Sequence, residues 1–122
     1  MKRLPISIII FIAMCSAASA DNSTGRTVQW LHDGWVQSQN MARGNSGDKQ
    51  GAFLAGQYVG YVIAESDLIR DGLIPEIAIP PKITYDEILA VVGDYLDAHS
   101  QENGSAAEIV VKACLVVWPA KD

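Results

Sequence analysis

The chain has 122 residues, 49% of them hydrophobic, with 9 basic against 14 acidic residues and a formal net charge of −5. That length suits one compact domain, and the acidic balance argues against nucleic acid and anionic membrane as partners. It favours a basic or cationic-clefted partner instead.

Residues 1–20 read as a secretory signal: Lys2 and Arg3, an apolar run from Leu4 to Met14, and the small-residue site Ala18-Ser19-Ala20 before Asp21. The apolar run is shorter than the ~20 residues that a spanning helix needs. Cys15 raises a lipid-attachment reading, but Met14 stands where a small residue is required. Cleavage after Ala20 leaves a helical domain over 21–122 with seven basic and fourteen acidic residues, a charge of about −7. It also leaves Cys114 as the single thiol, so no internal disulfide can form and packing must hold the domain together. Cys114 lies among Ile109, Val110, Ala113 and Val117 and reads as a small core hydrophobe.

The first predicted helix runs from Thr27 to about Arg43, with Val28, Leu31, Trp35 and Ala42 on one face. Gly44-Asn45-Ser46-Gly47 breaks it, and Asp48 caps a second helix that continues to Arg70. This second helix is apolar on more than one side, as a central helix would be. Gly56 and Gly60 lie four apart and suggest close approach of a neighbouring helix or subunit. Gln57, Glu65 and Asp67 argue against a lipid-facing role.

Asp71-Gly72 ends that helix, and a connector containing Pro75, Pro80 and Pro81 follows, whose Leu73, Ile74, Ile77 and Ile79 need burial. Thr84 and Glu87 then form a capping box, because the hydroxyl can accept the Glu87 amide while the carboxylate reaches back to the Thr84 amide. The third helix spans Tyr85 to about Ala98, with Ile88, Leu89, Val92, Tyr95 and Leu96 toward the core. Asp86, Ala90, Gly93, Asp94 and Asp97 are expected on its outer side. His99-Ser100-Gln101-Glu102-Asn103-Gly104 reads as a polar, flexible connector, short enough to hold the flanking helices antiparallel. Ser105 and Glu108 repeat the capping box, and Pro119 closes the fourth helix. The expected fold is all-α, a compact bundle of about four helices with a Pro-rich connector between helices two and three.

Chemistry-bearing residues are few. His32 and Asp33 are sequence neighbours and do not face each other on a helix, and His99 at a helix C-terminus is explained by the dipole. Two His and one Cys at unrelated spacing form no metal pattern, and Gly44-x-x-Gly47 lacks the lysine and strand context of a phosphate loop. Trp30, Trp35 and Trp118 read as core or dimer contacts. The sequence therefore predicts no enzyme, no metal and no cofactor.

Four pieces in order carry a family likeness: Phe53-x-x-Gly56-x-x-x-Gly60-Tyr61, Ile79-Pro80-x-x-Ile83-Thr84, Tyr95-Leu96-x-x-His99, and the terminal Trp118-Pro119. Over about Gln50 to Ala120 the chain resembles the type VI secretion amidase immunity proteins, the Tai/Rap family, and is nearest those of the fourth amidase group. Many relatives carry cysteines where this chain has Ala78 and Ala120, so the disulfide that the resemblance would bring is missing as a pair. The resemblance implies a periplasmic homodimer that inhibits a papain-like peptidoglycan amidase delivered by neighbouring cells, an enzyme cutting the D-glutamyl to diaminopimelate link. It further implies that a helix grips the enzyme while a protruding loop blocks its cleft.

On this basis the expected partner-binding residues are Ala90, Gly93, Asp94 and Asp97 on the third helix, with His99, Ser100, Gln101, Glu102, Asn103, Gly104 and Ser105 entering the substrate groove. Glu102 is expected to imitate the acidic stem peptide and pair with cationic groups there. A different class of function, a periplasmic acid-stress chaperone exposing apolar surface as carboxylates protonate, also fits a small, acidic, exported helical protein. Such helical chaperones generally lean on a disulfide that this chain cannot form.

Overall fold

The structure, a computed structural model, describes residues 25–45 and 48–121; the signal reading of residues 1–20 and part of the Gly44–Gly47 break lie outside the described residues. Among the described residues four helices make up the bundle: α1 (Val28–Ala42), α2 (Lys49–Arg70), α3 (Tyr85–Ala98) and α4 (Ala106–Val117). Each begins at a side-chain cap. Thr27 accepts from the Trp30 amide, Asp48 from Gly51, Thr84 from Glu87 and Ser105 from Glu108, and both expected capping boxes are complete.

The C-termini of α1 and α2 share one device. Gly44 and Gly72 adopt positive φ (81° and 99°), the Gly72 amide donates to Ile69, and the Leu73 amide donates to Leu68. Gly44 to Met41 and Asn45 to Asn40 repeat this pairing after α1, so both helices end in Schellman motifs. The motif accounts for a departure from the sequence reading. Leu73 was expected to be buried, yet it is 61% exposed beside the end of α2, at the position that a Schellman motif places opposite Leu68, which is itself exposed. Ile74 and Ile77 are buried as expected.

The core draws on all four helices: Leu31, Tyr58, Val62, Ile88, Val92, Leu96, Ile109 and Val110 are almost completely shielded from solvent. Between α2 and α3 the connector crosses to the C-terminus. The Ala78 amide donates to the Trp118 carbonyl (2.9 Å), the Ala120 amide donates to Glu76 (2.8 Å), and Ile77 bridges Pro119 in antiparallel sense. Ala78 and Ala120 thus both lie in one short main-chain ladder. A tie at the other end of the connector joins α2 to α3: Arg70 donates to the Ile83 carbonyl and lies 5.9 Å from the Tyr85 ring centroid, while the Tyr85 hydroxyl donates to Asp67 (2.8 Å).

At the centre, α1 meets α2 and α3 through two glycines. Gly34 lies under Tyr58: a Cβ built at Gly34 would stand 2.7 Å from the Tyr58 Cβ. Gly93 lies under Trp35, where a Cβ would stand 2.2–2.4 Å from three atoms of the indole. Trp35 and Tyr58 pack ring to ring at 5.7 Å and 48°, and the Tyr58 hydroxyl donates to the Leu89 carbonyl at 2.7 Å, one turn before Gly93.

This geometry bears on two expectations. Gly93 is buried in the α1–α3 contact rather than set on an outward face, because its missing side chain is filled by an indole. Gly56 and Gly60, expected to admit a neighbouring helix or subunit, are exposed, and no helix of the described chain fills the open space where a Cβ would project.

Alanine at these glycines separates the roles. Gly93→Ala should lower the free energy of unfolding by about 2 kcal/mol, since overpacking against a buried indole outweighs the ~1 kcal/mol gain in helix propensity. Gly56→Ala and Gly60→Ala should each raise it by about 0.5–1 kcal/mol, because only propensity changes there. Urea denaturation of the three variants measures this, and a stabilised Gly93→Ala would remove the proposed seat for Trp35.

Candidate partner-binding surface

The third helix presents two different edges. Ala90 and Asp94 are exposed, as the sequence reading expected. Gly93 and Asp97, one turn apart, are turned to α1. Asp97 Oδ2 accepts from Trp35 Nε1 (3.1 Å), and its Oδ1 lies 3.2 Å from His32 Nε2. The carboxylate therefore pins two α1 side chains that lie one turn apart, while its side chain remains 57% exposed. Asp33 is engaged elsewhere, accepting from Gln29 Nε2 at 2.9 Å.

The Asp94 and Asp97 charges also act on the interior. Burial raises the Tyr58 phenol pKa, and these two carboxylates raise it further. Tyr58 therefore remains a protonated donor to Leu89 at neutral pH.

The connector after α3 is held rather than loose. His99 is the C-cap; its ring stacks on Tyr95 at 3.9 Å and 14°, and its Nδ1 lies 2.9 Å from the Tyr95 carbonyl. A carbonyl only accepts, so Nδ1 carries the hydrogen. The Glu102 amide donates to the His99 carbonyl at 3.0 Å and closes a turn. On the far side the segment preceding α1 lies alongside: Val28 donates to Gly104 (3.2 Å), Ala106 donates to Arg26 (2.8 Å), and Thr27 bridges Ser105. Arg26 is anchored in turn by its guanidinium, 4.7 Å from the Trp30 ring centroid, and Trp30 meets Tyr61 edge-on at 5.4 Å. Gly104 has φ of 129°, a conformation that glycine permits, and a Cβ there would meet the Glu108 carboxylate at 3.0 Å.

These contacts sort the expected connector residues. Ser100, Gln101 and Asn103 are exposed, and the hydrogen bonds that hold the turn are main-chain ones. Ser105 serves as the N-cap of α4. Glu102 does not stand free as an anionic probe: its Oε1 is 2.8 Å from Lys112 Nζ, and its side chain is only 24% exposed. A shallow open depression of about 320 Å³ lies against residues 98–102. The sequence reading missed Lys112, Tyr95 and the 26–28 segment as supports of this surface. Tyr95 and His99 are four apart on a helix, a spacing that signals contact; the Glu102–Lys112 and Gly104–Val28 pairings carry no such local sign.

Among the described residues no group of three or more His, Cys, Asp or Glu side chains is placed to hold a metal ion. The His32–Asp97 couple continues to an indole donor, which is no nucleophile. Among the described residues no helix is long and apolar enough to cross a membrane. Comparison of the chain with known protein families, with curated proteins and with solved structures finds no match.

Cys114 is fully buried, and burial pushes its thiol pKa up to about 12. At pH 8 the thiolate fraction is then about one in ten thousand, against roughly a quarter for a free cysteine. With protein lacking residues 1–20, and so lacking Cys15, iodoacetamide at pH 8 should leave the folded form unmodified and alkylate Cys114 fully in 6 M guanidinium, as read by intact mass; rapid labelling of the folded form would contradict the core assignment.

Proposed function

We propose that this protein is a binding inhibitor of the immunity type, acting in the periplasm on a papain-like peptidoglycan amidase. In this reading the 99–105 connector enters the enzyme's substrate groove, and the exposed edge of α3 around Ala90 and Asp94 rests against the groove's rim. Homodimerisation, which the resemblance implies, belongs to the same reading. The observation that carries it is the braced connector: a turn fixed by backbone hydrogen bonds from both sides, with Ser100, Gln101 and Asn103 directed to solvent.

The physical case rests on preorganisation. A segment already held in its bound course loses little conformational freedom on docking, so more of the contact free energy appears as affinity. No bond need form or break. Occlusion requires an interface of standard size, roughly 1,600 Å², and nanomolar binding corresponds to about −12 kcal/mol. The arrangement at α3 narrows the contact relative to the sequence expectation, since Gly93 is covered by Trp35 and Asp97 is tied to α1.

The test combines capture with a connector exchange. Protein lacking residues 1–20 is used to capture amidases from periplasm, with amidases encoded beside its own reading frame tried first. Inhibition of the captured enzyme is then measured with residues 100–104 replaced by a Gly-Ser linker. Helical circular dichroism should persist and inhibition should fall by at least 100-fold, equivalent to about 2.7 kcal/mol. Undiminished inhibition by the exchanged protein would remove the connector from the mechanism.

A further inference from the structure

Glu102, the single acidic residue in the 99–105 connector, is held from inside the protein. Its carboxylate accepts from Lys112 on the second turn of α4 at 2.8 Å and lies beside the Tyr95 phenol. Both neighbours register it: the Lys112 pKa is raised first by hydrogen bonding to Glu102, and that of Tyr95 is raised by burial and then by the Glu102 charge. Glu108, at the start of α4, adds a further carboxylate charge at Lys112. The Glu102 amide is meanwhile fixed to His99, whose ring stacks on Tyr95. Tyr95, His99, Glu102 and Lys112 thus form one continuous strut from the last turn of α3 across the connector to α4.

We propose that Lys112 is a positioning residue for the connector: it holds Glu102 inward, thereby fixes the course of Ser100 to Asn103, and leaves the projecting face to neutral hydrogen-bonding groups. The partner surface that this fits is a groove offering amide and hydroxyl partners to Ser100, Gln101 and Asn103, rather than one that needs a carboxylate from the tip. The functional half of this inference rests on the inhibitory reading above; the structural half does not.

A partly exposed ion pair contributes little to global stability. A short surface turn, however, opens locally at far smaller cost than the whole fold, so a modest contact changes its open population directly. A partner that binds only the closed turn loses affinity in proportion to that population.

Hydrogen exchange on the free protein tests the strut without any partner. Lys112→Met and Glu102→Gln should each speed exchange of the Glu102 amide, which donates to His99, by about threefold. The double variant should show no further increase, and the amides of Tyr58 and Val62 should not change. Unaltered connector exchange in Lys112→Met, or additive effects in the double variant, would overturn the assignment. Against a papain-like amidase, the two single variants should weaken inhibition equally. A loss confined to Glu102→Gln would show that Glu102 meets the enzyme directly and overturn the neutral-tip proposal. If both variants loosen the connector while inhibition is unaffected, the strut stands and the inhibitory reading of the connector fails.

Discussion

The fold turns on one contact, the seating of the Trp35 indole in the space that Gly93 leaves on α3. The ring is 6% exposed, and its edge nitrogen is bound by Asp97 one turn beyond the glycine, so a single side chain is located by shape at one end and by a charge-assisted hydrogen bond at the other. Tyr58 closes the junction from α2, packed over Gly34 and bonded to Leu89. Three helices are registered to one another at this point, and no covalent bridge is required among them. The acidic balance of the protein contributes here too, because Asp97 is both a surface charge and an anchor for α1.

The connector after α3 inherits its position from that junction. His99 caps the helix whose preceding turn carries Asp97, and the segment before α1, the helix that carries Trp35, runs beside Gly104 and Ser105. α1 therefore supports the connector twice, through the Trp35–Gly93–Asp97 seat and through backbone hydrogen bonds at its N-terminus. This is a physical basis for treating a short polar segment as a rigid projection, where its composition alone suggests a loose one.

Features written within a few residues were legible in the sequence. Thr84 with Glu87, Ser105 with Glu108, Asp48 before α2, and the prolines before α3 and after α4 set the helix limits because these signals are local chemistry. Gly93 was read as lack of bulk on an outer face; what fills such a gap depends on a residue in another helix, and the bond from Trp35 to Asp97 spans 62 positions. At Gly56 and Gly60, read as admitting a helix or a subunit, the absent side chain meets no other part of the described chain. Glu102 was read as a free carboxylate because Lys112 lies ten positions away across a helix–helix turn, a separation with no periodic signature. The exposed course of Ser100, Gln101 and Asn103 was therefore legible in the sequence, whereas the pairing that takes up the Glu102 carboxylate was not.

Central to this account is that the connector is presented ready-made on a helical support. A crystal structure of the complex with a papain-like amidase tests this most directly. The account predicts residues 99–105 inside the substrate groove, with a backbone within about 1 Å of its course in the free protein and the Glu102–Lys112 pair intact. An enzyme active centre left open to solvent with contacts confined elsewhere, or a connector remodelled on binding, would contradict it.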